Sequence, residues 1–126
     1  MAENKPLEPG TQQAFDSAGR VMIRMADTFK NLNAINTNAE ITAWTPAAGK
    51  KFRLMGLYLS TTVSATVLIK DNTAGTTILT LPMIANTPIG PLNLGNGILS
   101  AAANNVLTIT GGAASTTTGI LFGTEE

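Results

Sequence analysis

Apolar and polar side chains alternate in short runs over most of this chain, and the clearest stretch is residues 40–75. In Val63-Ser64-Ala65-Thr66-Val67-Leu68-Ile69-Lys70, the residues Val63, Ala65, Val67 and Ile69 fall on one side of a pleated strand. Ser64, Thr66 and Lys70 fall on the other, interrupted by Leu68. A period of two with one apolar side marks a half-buried strand. Residues 54–59 are apolar on both sides apart from Gly56. That suits a central strand covered on both faces, or one lining a subunit contact. A further strand starts at Glu40 and ends near Trp44. Pro46, with its fixed φ, and Gly49 place a turn in residues 46–50, Thr61-Thr62 makes a tighter corner, and residues 71–75 close the unit with Asp, Asn and Gly.

The same grammar continues to the end of the chain. Strands are expected over residues 76–83, 89–94, 98–100, 106–110 and 116–122, separated by the turn signals Asn86-Thr87-Pro88, Gly95-Asn96-Gly97, Asn104-Asn105 and Gly111-Gly112. Pro82 and Pro91 each lack a ladder donor, so their strands belong at a sheet edge or a strand end. About eight short strands at roughly ten-residue spacing, rich in Thr, Ile, Leu and Val, predict an all-β fold, an antiparallel β-sandwich or jelly-roll-like domain. No repeat of identical residues points to a solenoid or propeller.

The first third of the chain reads differently. Residues 1–13 carry Pro6, Pro9 and Gly10 without periodicity, as a mobile leader does. Over residues 15–32 a helical stripe (Phe15, Ala18, Met22, Met25, Phe29, Leu32) competes with a short extended segment. Gly19 weakens the helix by about 1 kcal/mol relative to Ala, which favours a strand or extended arm over residues 20–26. The expected organisation is an N-terminal arm, residues 1–36, and a β-sandwich domain, residues 37–126.

Charge and composition narrow the function. The 126 residues carry no net charge, no histidine and no cysteine. There is no basic field for nucleic acid, and disulfides, thiolate nucleophiles, imidazole bases and Cys/His metal centres are all excluded. The longest apolar runs are about six residues, against the ~20 that span a bilayer. No apolar stretch follows a basic start, so no secretory signal is expected and the product stays in the cytosol until assembly. Half of the sixteen charges lie in the first thirty residues, and none occurs in residues 72–124. So long a neutral half implies either a face covered by neighbouring copies or another protein, or a surface coated with Thr and Asn.

Candidate chemistry is sparse. Of eight carboxylates, Glu3, Glu8, Glu125 and Glu126 lie at ends expected to fray, and Asp71 sits where a turn favours Asp. Asp16, Asp27 and Glu40 have no partner at a spacing that suggests an acid–base pair, so no enzyme activity and no cofactor is expected. The serines lack a histidine to activate them. The paired glycines have neither the lysine nor the helix of a phosphate loop. Trp44 and Tyr58 could form a sugar-stacking platform, although a single Trp ending a strand more often plugs a core. The arm offers Phe15, Arg20, Met22, Arg24, Met25 and Phe29 as a mixed apolar and basic surface. It is too weakly basic for a membrane and suited to lie across another protein, the alternative being that it packs on its own domain.

The stretch Trp-Thr-Pro-Ala-Ala-Gly-Lys-Lys-Phe-Arg-Leu-Met-Gly-Leu-Tyr-Leu-Ser, residues 44–60, with the Thr-, Ala- and Gly-rich remainder, resembles the small β-sandwich structural proteins of tailed bacteriophages. These include capsid decoration (cement) proteins and head-fibre bases. The resemblance implies a non-enzymatic virion protein on the capsid surface, bound to the major capsid protein through its arm and self-associated as a homotrimer. A tail, baseplate or head-fibre component is the structural alternative. A carbohydrate-binding module using Trp44 and Tyr58 is the alternative of another class.

Overall fold

The computed structural model describes residues 25–35, 39–111 and 114–126, and it is all-β over these. Eight strands are present among them: β1 (Thr28–Ile35), β2 (Ile41–Trp44), β3 (Phe52–Thr61), β4 (Ala65–Asp71), β5 (Thr76–Met83), β6 (Ile89–Leu99), β7 (Leu107–Gly111) and β8 (Thr116–Glu125). They form two antiparallel four-stranded sheets, ordered β1-β8-β3-β6 and β2-β7-β4-β5. Only β4 and β5 are consecutive neighbours; every other connection crosses from one sheet to the other. This is the strand order of a jelly-roll sandwich, and it agrees with the fold class expected from the alternation.

The core lies between the sheets. Leu54, Leu57, Leu59 and Leu121 from the first sheet meet Val67, Ile69, Leu107 and Ile109 from the second, with Leu32, Leu81 and Met83 at the margins. Trp44 and Phe52 close one end, with ring centroids 5.7 Å apart and planes inclined at 38°. Phe52 leads out of the turn that Pro46 and Gly49 predict, and Lys50 N donates to Ala47 O at 2.9 Å inside it. Pro82 and Pro91 lie in β5 and β6, each an edge strand of its sheet, as a missing ladder donor requires.

Three expectations need correction. The first concerns the arm: a strand runs over Thr28–Ile35, with residues 25–27 outside it, and it pairs with β8 from Thr28↔Gly123 to Ile35↔Thr116. Residues 20–24 lie outside the described residues. Strand β1 therefore belongs to the sandwich, and it hides from a pattern search because Phe29 faces out while Leu32, of opposite parity, faces the core. The second is Gly95-Asn96-Gly97, which does not separate two strands. It bulges within the single strand β6, whose pairing with β3 jumps from Leu54↔Ile98 to Gly56↔Asn93. Positive φ at Gly95 (63°) and Gly97 (79°) permits the bulge.

The third correction is the C-terminal pair, which does not fray. Glu126 N donates to Lys51 O at 2.8 Å and Lys51 N to Glu126 O at 2.7 Å, while the Glu126 carboxylate pairs with Arg53. Glu125 accepts from Trp44 Nε1 at 2.8 Å and from Ala47 N at 3.1 Å. The Trp44 hydrogen bond is the main reason the Glu125 carboxyl titrates below its ordinary value; the Ala47 amide and the charges of Lys30 and Lys50 assist, and burial opposes. A depressed pKa supplies stability above the unfolded value of ~4.3 that is lost as pH falls through the folded one. Glu125→Gln is accordingly expected to cost about 1–2 kcal/mol near pH 6. In urea titrations from pH 6 to 2 the parent should converge on the variant; a gap that stays constant would refute the assignment.

Candidate functional site

The two sheets present opposite outer surfaces. On the second sheet Thr42, Thr66, Thr77 and Thr80 are exposed, so it is the Thr-coated surface that the neutral half of the chain allowed. Among its outward hydroxyls, those of Thr108 and Thr110 are buried without a hydrogen-bond partner.

The first sheet is apolar where it faces solvent. Parity along the strands sends Leu57, Leu59 and Leu121 inward and Tyr58, Ile120 and Phe122 outward. Register then lines up two rows. One runs Phe29, Phe122, Gly56, Asn93, and the next Asn31, Ile120, Tyr58. The pairing of β3 with β8 shifts between Leu54 and Gly56, so Met55 is the extra residue of a bulge beside the first row. Phe29 and Phe122 stack at 6.3 Å, tilted by 35°. Gly56 lets the Phe122 ring lie against the sheet, because a Cβ there would sit 2.2 Å from Phe122 Cζ and 2.5 Å from Leu92 O. The consequence is a shallow open groove of about 810 Å³ across all four strands, lined by Met25, Phe29, Met55, Phe122, Pro91 and Asn93 among others.

Met25 is 76% exposed, Phe29 60% and Tyr58 39%. Exposed apolar side chains gathered on one face mark a docking surface more often than a solvated one. At one end of it Arg53 and Glu126 neutralise each other, and Arg53 Nη1 donates to Asn96 O at 3.1 Å, while Asp27, between Ala26 and Phe29 in the chain, is exposed. The pairing of Arg53 with Glu126, led by the hydrogen bond between their side chains, raises the Arg53 pKa further.

Of the residues the sequence singled out, Met25 and Phe29 both border this groove, whereas Phe15, Arg20, Met22 and Arg24 lie outside the described residues. The Trp44 and Tyr58 platform does not form. Trp44 is 1% exposed between the sheets and Tyr58 points from the outer face, so no sugar can stack on both. The described carboxylates serve the chain's own framework. Asp71 accepts from Ala101 N at 2.7 Å and Asn105 Nδ2 at 3.1 Å, rather than only shaping the turn that follows it. Glu40 accepts from Ala74 N at 2.6 Å and lies 4.0 Å from Lys70 Nζ. Asp27 accepts from the Thr28 hydroxyl at 3.0 Å, and Asp16 lies outside the described residues. Among the described residues no group of three or more His, Cys, Asp or Glu side chains converges as metal ligands would.

Sequence reasoning did not find Met55, Ile120 and Phe122. The signal was available for two of them: Gly119-Ile120-Leu121-Phe122 places an apolar side chain on both faces of one strand. A comparison of the chain with family models, curated proteins and solved structures found no match to any of them.

Proposed function

We propose that the protein is a non-enzymatic structural component of a tailed-phage virion, decorating or cementing the capsid shell. In this reading it docks through the outer face of the β1-β8-β3-β6 sheet. The observation that carries the reading is the cross-strand pair Phe29 and Phe122, with exposed Met25 and Tyr58, on a solvent-facing sheet surface whose counterpart across the sandwich is coated with Thr. A neutral sandwich offering one such face suits a shell held by many repeated weak contacts, where low affinity per copy is tolerable. The resemblance of residues 44–60 to virion β-sandwich proteins supplies the identity of the partner, the major capsid protein, and the homotrimeric state. The geometry of the face fits protein docking of any kind.

Co-sedimentation with shells of the encoding phage tests both parts. The parent is expected to bind, and Phe29→Asp to lose at least about tenfold in affinity, since truncating an aromatic anchor removes more than ~1.4 kcal/mol. Its melting temperature should move by only a few degrees, because Phe29 sits exposed on an edge strand. Equal binding by the variant refutes the face. A parent that binds no shells refutes the capsid role, and copy counts in purified virions then separate a tail component from no virion role at all.

A further inference from the structure

The bulge in β6 holds Asn96-Gly97, the one Asn-Gly pair in a chain with eleven asparagines. The pair has no ladder partner, because the pairing of β6 with β3 jumps from Leu54↔Ile98 to Gly56↔Asn93. We infer that this pair is a self-modification site, where the Asn96 side chain becomes a carboxylate in the folded protein without an enzyme. Hydroxide removes the Gly97 amide proton, and the nitrogen attacks Asn96 Cγ. The N–Cγ bond forms, the Cγ–Nδ2 bond breaks, and Nδ2 leaves as ammonia with a proton returned by water, which restores the hydroxide. Water then opens the five-membered imide. Cleavage of the new bond gives aspartate, and cleavage of the original peptide bond gives isoaspartate; either way one water is consumed and one ammonia released.

The local geometry supplies what the reaction needs. Arg53 Nη1 donates to Asn96 O at 3.1 Å. Peptide resonance shares the charge of a deprotonated Gly97 nitrogen with that oxygen, so the guanidinium stabilises the nucleophile. The peptide is trans, which turns the Gly97 N–H away from Arg53. The ladder agrees: Ser100 N donates to Phe52 O at 2.9 Å, and from there amides facing β3 alternate with amides facing away, so Ile98 N points to β3 and Gly97 N does not. Because β6 is an edge strand, the other side is open. Gly97 has no Cβ to block the approach of Asn96 Cγ. Asn96 is exposed, so its side chain can turn back on the peptide that follows. Asn93 and Asn104 are held instead, accepting from Gly95 N at 2.8 Å and Gly49 N at 2.7 Å.

Asn96 also lines the groove, whose lining residues carry no charge. Conversion places a carboxylate there, beside the guanidinium that Glu126 holds. On the docking role proposed above, a converted copy must desolvate that charge and binds a shell less well.

The test incubates the full chain in mildly alkaline buffer, with and without guanidinium chloride, and follows the peptide containing Asn96 by mass spectrometry and by isoaspartyl methyltransferase labelling. Folded protein is expected to convert Asn96 at least as fast as unfolded protein, and faster than any other asparagine. Conversion confined to the unfolded chain would overturn the inference, since the sheet would then protect the site. Arg53→Gln is expected to slow conversion of the folded protein about tenfold, the effect of ~1.4 kcal/mol on the barrier, and to change nothing in denaturant. A faster reaction in that variant would mean that Arg53 only restrains the bulge, and would remove its assisting role. The comparison of folded with unfolded parent decides the inference even if the variant fails to fold. For the consequence, Asn96→Asp is expected to bind shells at least about tenfold more weakly than the parent; equal binding would refute it. Conversion at Asn96 with no shell binding by the parent would leave the site standing and remove the capsid reading.

Discussion

Trp44→Ala is expected to remove about 3–5 kcal/mol of folding free energy, a large share of the ~6–19 kcal/mol available to a domain of this length. Two losses combine. The indole fills the end of the core against Phe52 and is 1% exposed, so its truncation leaves a cavity between sheets. Its Nε1 also donates to Glu125, and without it a partly buried carboxylate loses its shortest hydrogen bond. Trp44→Phe separates the two by keeping most of the volume and losing the donor, and it should cost about 1.5–3 kcal/mol. Urea unfolding of the three proteins at pH 6 checks the ordering. A Phe variant as damaged as the Ala variant would mean that packing contributes little and the hydrogen bond nearly everything.

Gly123→Ala is expected to be worse for its size, costing more than ~4 kcal/mol and leaving no cooperative transition. Gly123 faces β3 beside the bulge at Met55, and an added Cβ would lie 1.7 Å from Arg53 O and 3.1 Å from Met55 N. Backbone atoms cannot rotate away as a side chain can, so the strands would have to part where β3 and β8 pair. A bulge that brings two backbones this close requires glycine opposite it. Circular dichroism and thermal melting of the variant provide the check; a folded protein within about 1 kcal/mol of the parent would show that the strands separate easily.

Much of the sandwich was legible because its strands are half-buried. In β4 the residues Val67 and Ile69 take the buried side opposite Thr66 and Lys70, with only Leu68 breaking the polar side, and Pro82 and Pro91 marked edge strands by lacking a donor. Trp44 was legible as a core plug. Strand β1 was not, since its conformation comes from pairing with β8 more than eighty residues away in sequence, and Asn31 and Asn33 dilute its alternation. The anchored C-terminal pair was invisible for a related reason. Nothing local in Gly-Thr-Glu-Glu distinguishes a fraying end from one held by Trp44, Ala47, Lys51 and Arg53. Half of the candidate face was legible through Met25 and Phe29; the rest required knowing which strands lie side by side.

The position of β8 has a kinetic consequence. It lies between β1 and β3, yet it is the last of the eight strands to leave the ribosome. At roughly 5–20 residues per second, seconds pass between the synthesis of β3 and that of β8. Throughout that interval the most apolar strand of the chain, residues 52–61, lacks its central neighbour. Closing the sheet joins partners distant in sequence, the kind of contact that makes folding slow. Chaperone protection of the nascent chain thus matters most before β8 emerges, and a translational pause upstream of residue 116 prolongs the exposure of a sticky strand without helping the sheet to form.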